Sequence, residues 1–243
     1  MKKASCYFLG EKMKTSNILI ISFALILSAA TLACGMTKIA KASRTVSVRG
    51  LAEREVPADM ATWRVSFSVS GNDLPALQGE IISKTKIVLD FLGEYDLDEN
   101  DYSVLSPEIT DTTTNIYLDQ SQRQFNYVAK QTVLVRTEKV SNAKAASIDT
   151  IDLMGKGVAL SSDYDNRVKY EFNGLNEIKP EMIADATKNA LLAAEQFAHD
   201  SGSKVGKIMN ASQGLFSIDD AAVGLEDIKN VRVVTTVVYS LKD

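Results

Sequence analysis

Apolar and polar residues alternate most cleanly over Ala61 to Ser70. Trp63, Val65, Phe67 and Val69 fall on one face, and Thr62, Arg64, Ser66, Ser68 and Ser70 on the other. A period of two predicts a strand with one buried face, and its place in that stripe makes Trp63 a core side chain rather than a ligand platform. Ser43 to Gly50 alternates in the same way and predicts a strand, with residues 50–57 (GLAEREVP) turning the chain. Tyr102 to Thr110 and Gln124 to Thr137 predict two long strands, with Val133 and Val135 facing opposite to Leu134 and Arg136. Val158 to Phe172 predicts another strand. In the last one, Val231 to Leu241, both faces are partly apolar, which predicts a central strand or an edge covered by another subunit.

Helical periodicity enters between these strands. Asp73 is placed to cap a helix with Pro75 in its first turn; Leu77, Ile81, Thr85, Val88 and Leu92 form its buried face and Gly93 its stop. Ser141 is expected to cap a shorter helix running to Met154, with Ile148, Ile151 and Leu153 apolar. The longest helix follows from Asn176, with Pro180 in its first turn. Ile178, Met182, Ile183, Ala186, Ala190, Leu191, Ala194, Phe197 and Ala198 recur at spacings of three and four. An alanine-rich face lets such a helix lie close to a sheet. Gly202 stands where a helix end favours a left-handed residue. Val205, Ile208 and Leu215 to Ile218 read as returning strand, with Gly214 as a bulge or point of close approach.

The resulting order is β-β-α-β-β, then α-β-α-β-β. Strands follow strands more often than they alternate with helices. This predicts an α+β fold, a mostly antiparallel sheet with helices packed on one face, preceded by an N-terminal hydrophobic helix.

That N-terminal segment is set apart from the core. Lys2, Lys3, Lys12 and Lys14 precede an uncharged apolar run from Ile18 to Ala33, and Met13 is an alternative start. Three outcomes compete. An uncleaved signal anchor uses residues 17–36, just long enough to span a bilayer. Cleavage near the small residues of Ala40-Lys41-Ala42 is the second. Lipidation at Cys34 is the third, although Leu32 lies one place late for that signal. Each divides the chain into a targeting segment, 1–42, and an exported domain, 43–243. Each places that domain in the periplasm or cell envelope, tethered to the inner membrane by residues 17–36 if the segment is kept.

Charge and cysteine usage then exclude several chemistries. Of 27 basic and 31 acidic residues, six lysines and Glu11 lie in 1–42, leaving 21 basic and 30 acidic residues, a net charge of −9, in 43–243. An acidic domain is poorly suited to nucleic acid or anionic lipid surfaces. Cys6 and Cys34 both lie in the targeting segment, so the rest of the chain has no thiol for catalysis, zinc or disulfides. His199 is the single histidine, near the end of the long helix, without a GxSxG nucleophile or a second metal-ligating histidine. Gly155-Lys156-Gly157 lacks the rest of a phosphate loop. Asp96, Asp98, Glu99 and Asp101 have the spacing of a calcium loop but neither its central glycine nor its terminal bidentate glutamate, and read as a solvated connection. Catalytic, cofactor and metal residues are therefore expected to be none. Asp111 to Arg123 is polar yet carries Ile116, Tyr117 and Leu118 at its centre, as a contact with a partner chain or as packing on its own domain.

Several stretches carry a family resemblance. Residues 44–59 (RTVSVRGLAEREVPAD) resemble the opening of bacterial SIMPL-domain proteins, a V-x-V-x-G strand followed by A-D. Ala194 to Ala198, Gly202 to Ile208 and Gln213 to Ile218 resemble the family's central helix and strand, and Val231 to Tyr239 its closing strand. The resemblance covers residues 44–241. It implies an α+β envelope or periplasmic protein that assembles into larger oligomers. Related periplasmic immunogenic proteins are thought to form ring- or channel-like assemblies, and some relatives are linked to oxidative stress. The family has no agreed catalytic residues to carry over.

Two functional expectations follow. The first is a non-enzymatic envelope protein that forms a homo-oligomer through its sheet edges and the 111–123 arm. The second is a monomeric periplasmic module binding a small ligand or envelope polymer between the long helix and the sheet. Apart from the membrane contact of an uncleaved N-terminus, no further partner is indicated, and nucleic acid is not expected.

Overall fold

The computed structural model describes residues 20–31, 44–114, 124–161 and 166–242 of the chain. A helix, α1, spans 20–31 with its side chains exposed. Among the described residues no helix is long and apolar enough to cross a membrane. Residues 17–19 and 32–36 of the expected anchor lie outside the described residues, as do Met13, Cys34 and the cleavage region.

After it come β1 (Thr45–Pro57), β2 (Met60–Gly71), α2 (Leu74–Glu94), β3 (Tyr102–Val104), β4 (Glu108–Asp111) and β5 (Tyr127–Thr137). Then follow α3 (Val140–Ile148), α4 (Ile151–Gly155), β6 (Lys169–Glu171), α5 (Leu175–Asp200), β7 (Lys204–Gln213), β8 (Ser217–Asp220) and β9 (Ile228–Lys242). The architecture is α+β, as expected, with the strands in two sheets. One has the order β1-β9-β7, with β8 antiparallel to β9; the other has the order β3-β5-β2-β6, with β4 also on β5. The two-faced final strand is thus a central one.

The chain divides into two compact units. The larger comprises Gly50–Asn189 and Gln213–Thr235. Its main core lies between α2 and the β2–β5 pair. In that pair Trp63 faces Val135, Val65 faces Val133 and Val69 faces Ala129, all in antiparallel register. Leu77, Ile81, Val88, Phe91 and Leu92 of α2 pack on this surface together with Phe67. Trp63 is 3% exposed, and its indole nitrogen donates to the Asn166 carbonyl at 3.0 Å, so it is a core residue with its one polar atom satisfied. On the opposite face Ser66 and Thr132 are buried and bond each other at 2.9 Å. A second core in this unit joins Met182 and Ala186 of α5 to Ala52, Val56, Val231 and Val233. The smaller unit has its own cluster, in which Ala190 and Ala194 meet Val48, Val237 and Tyr239.

Several local expectations are corrected. Residues 50–57 do not turn the chain. Val48, Gly50, Ala52 and Val56 stay buried on one face, and the strand runs on to Pro57. The α2 helix continues past Gly93, and the left-handed residue after it is Asp96, at φ 57°. Ser141 lies inside α3, whose first turn has no side-chain cap, and the expected single helix is two, broken after Ile148. Ile148 and Ile151 are exposed; Leu153 is the buried residue there. The 102–110 strand breaks at Leu105-Ser106-Pro107, where the proline has no N–H for the ladder. In 158–172 only a bridge from Leu160 to Phe67 and the three-residue β6 form among the described residues.

Pro180 sits inside α5, five residues after its start at Leu175 and so beyond the first turn expected for it. Its buried stripe is narrower too: Met182, Ala186, Ala190, Ala194 and Ala198 are buried at every fourth position, whereas Leu191 and Phe197 are exposed. Gly202, at φ 67°, ends the helix as expected. Its N–H donates to the His199 carbonyl, and that of Ser203 to the Ala198 carbonyl.

Candidate functional site

His199 is exposed, with Nδ1 3.4 Å from Asp200. Among the described residues no group of three or more His, Cys, Asp or Glu is arranged to hold a metal ion.

The acidic loop after α2 has a specific occupant. The Lys139 ammonium donates to Asp101 Oδ2 at 2.7 Å, to the Asp96 carbonyl at 2.7 Å and to Asp98 Oδ2 at 3.3 Å. Thr137 Oγ1 donates to the other Asp101 oxygen at 2.6 Å. Burial opposes ionisation of Asp101, but the Lys139 and Thr137 bonds outweigh it and hold the carboxyl below its usual range. The bond from the Asn100 backbone, with Lys139, does the same for Asp98, and the Asp101 bond raises Lys139. The loop is therefore not simply solvated. Lys139, the residue just before α3, sits where the spacing of the acidic residues would place a calcium ion.

The space between α5 and its sheet does not offer the ligand groove expected there. Met182, 1% exposed, and Ala186 fill it in the larger unit, and Ala190 and Ala194 pack with Val48 and Val237 in the smaller one. Phe197, expected to help fill it, points to solvent instead. Ile116, Tyr117 and Leu118 lie outside the described residues.

Two concavities of the larger unit bear on function. One, of about 870 Å³, is bordered by Arg64, Ser66, Tyr170, Asp220, Glu226 and Lys229. Its charges include both signs, and the buried Lys229 ammonium is already satisfied by Asp220.

The other, of about 760 Å³, is apolar and is the candidate binding site. It lies between α2 and the β3–β4 edge, with Leu74, Leu77, Ile81, Ile82 and Leu89 on the helix side and Val104, Leu105, Pro107 and Ile109 on the strand side. Several wall residues remain open to solvent, with Ile82 62%, Ile109 55% and Val104 48% exposed. The break at Pro107 shapes this wall. The Leu105 N–H donates to Thr132 O at 3.0 Å, and the buried Gln131 amide donates to Leu105 O at 2.7 Å, which ties down the break and forms the floor.

Sequence reasoning missed this site. Its signal was a second apolar flank on α2, formed by Leu74, Ile82 and Leu89, beside the stripe that enters the core. It also missed Asp59, which acts at long range on the start of α5. A carboxylate that bonds across 114 residues leaves no periodic mark in the sequence.

Comparison with known proteins adds a family but no activity. A search among curated proteins finds no match. The family model described as "SIMPL: Protein of unknown function (DUF541)" matches residues 46–239, from the second residue of β1 to near the end of β9. With that span covered, the chain belongs to the SIMPL family, whose function is unknown.

Proposed function

We propose that this chain is a non-enzymatic cell-envelope protein that assembles with copies of itself by pairing along a sheet edge. The observation that carries the reading is β7. It ends the strand order of its sheet, is ten residues long, and has eight of those residues exposed, including Ile208 and Met209. A long exposed edge with unpaired backbone groups is a template for another strand, and monomeric proteins ordinarily shorten, charge or cover such edges. The non-enzymatic part of the reading is supported by the exposure of His199 beside Asp200 and by the engagement of Asp98 and Asp101 by Lys139. Export, with tethering by residues 17–36, rests on the N-terminal sequence pattern, and a role in oxidative stress rests on family likeness alone.

Multi-angle light scattering on the full chain in mild detergent, with the detergent mass subtracted, tests assembly. A discrete oligomer is expected. Ile208→Lys with Met209→Lys should convert it to a smaller species without unfolding, because charges on an edge block strand addition. A strict monomer at micromolar concentration overturns the reading. The competing reading, a binding module, is favoured by the apolar groove at α2.

A further inference from the structure

We propose that the groove between α2 and the β3–β4 edge binds the hydrocarbon tail of an anionic single-chain amphiphile, such as a fatty acid, with Lys86 meeting the headgroup. Among the described lining residues there is no aromatic ring, and Lys86 is the sole charged side chain. It is exposed at the groove wall, and no ion pair engages it among the described residues. An aliphatic trough with one cation at its rim is complementary to an apolar chain ending in one anion.

The groove discriminates against other guests. A guest strand would need an unbroken edge, but this one is interrupted at Pro107, which has no N–H to offer. A peptide also carries an amide at every residue. The Gln131 amide on the floor is already committed to the Leu105 and Thr132 carbonyls, so buried peptide groups would find few partners there. Protein interfaces are enriched in aromatic side chains and arginine, and the described residues of this wall include neither. A hydrocarbon chain asks for no hydrogen bonds. Its length fits as well: Lys86 and Leu74 are twelve positions apart on α2, about 18 Å along the axis. That accommodates an extended chain of roughly fourteen carbons, given carbon–carbon bonds of about 1.5 Å. The volume of about 760 Å³ lies within the range of small-molecule sites. The proposal does not depend on self-assembly.

The test is photolabelling of the full chain in lipid nanodiscs by a fourteen-carbon fatty acid with a diazirine in its tail, with the labelled residues mapped by mass spectrometry. Label is expected on Ile82, Leu105 or Ile109. Unlabelled fatty acids should compete with a potency that falls roughly two- to fourfold per methylene removed, since each buried methylene contributes about 0.8 kcal/mol. The uncharged methyl ester should compete less well, and Lys86→Gln should abolish that difference. Ile82→Glu should remove the groove label, and unchanged emission of the buried Trp63 would show that the variant is folded. Labelling confined to residues 17–36, or competition indifferent to chain length, overturns the proposal. So does a groove protected by cross-links to a second copy or to another protein.

Discussion

Asp59 and Asn173 are 114 residues apart in sequence and joined by three hydrogen bonds. In the short link between β1 and β2, the Asp59 carboxylate accepts from the Asn173 backbone N–H at 2.9 and 2.8 Å, one bond to each oxygen, and from its side-chain amide at 3.0 Å. The Gly174 N–H adds a bond at 2.8 Å immediately before α5 begins. The Asp59 N–H in turn donates to the Glu171 carbonyl at 2.9 Å. The entry to the longest helix is thus held by a carboxylate from the corner between two sheets, where negative charge also suits the helix dipole. Asp59→Ala should lower stability by about 1–2 kcal/mol, the range for losing a helix-capping carboxylate. Urea denaturation followed by Trp63 fluorescence measures this, and an unchanged midpoint would refute the anchoring role.

The cluster of Asp98, Asp101 and Lys139 gives a pH dependence with a definite sign. Both carboxyls are held below their usual range. Their stabilisation is therefore fully present above the unfolded carboxylate value of about 3.9, and is lost as the pH falls through the lower folded values. Lys139 is raised, so its share is fully present below the unfolded lysine value of about 10.4 and is lost as the pH rises through the higher folded value. The contribution should be flat between about pH 5 and 9. Thr137→Val removes one donor to the largely buried Asp101 and should cost about 1.5–3 kcal/mol at pH 7. The cost should shrink as the pH falls below the usual carboxylate range and Asp101 becomes protonated. Denaturation of both proteins across pH 3–9 checks the expectation, and a cost independent of pH would count against an ionised Asp101 as the acceptor.

Gly214 is required by close approach. Its N–H donates to the Val234 carbonyl at 2.8 Å, and a Cβ there would lie 2.8 Å from the same backbone oxygen. The obstacle is backbone rather than a flexible side chain. Gly214→Ala should destabilise by about 1–3 kcal/mol through overpacking. Thermal denaturation compared with Gly79→Ala, where the added methyl meets nothing within 4 Å, separates this clash from a general glycine effect.

Thr235 carries a buried hydroxyl in β9 with no hydrogen-bond partner among the described residues. Replacing it by the similarly shaped valine removes an unsatisfied polar atom. Thr235→Val should therefore stabilise by about 1 kcal/mol. A loss of stability in a urea titration would mean that the hydroxyl is satisfied in solution.

What the sequence determined by itself was the fold class, the order of elements and most of the core. Trp63, Val65, Phe67, Val69 and the alanines of α5 announce themselves by period, because burial of one face imposes period on strands and helices alike. The same logic recognised β9 as two-faced before its neighbours were known. It faltered where composition and pattern disagreed. Residues 50–57 look like a turn by their glycine, charges and proline, yet the alternation through Ala52 and Val56 continues the strand. The 102–110 strand failed for the opposite reason, since Pro107 interrupts a run whose propensity favours extension. Only the tertiary structure decided that Lys139 occupies the acidic loop, that Asp59 holds the start of α5, and that α2 leaves an aliphatic trough beside β3 and β4. These are long-range juxtapositions, fixed by which surfaces meet rather than by spacing along the chain, and a single sequence records spacing alone.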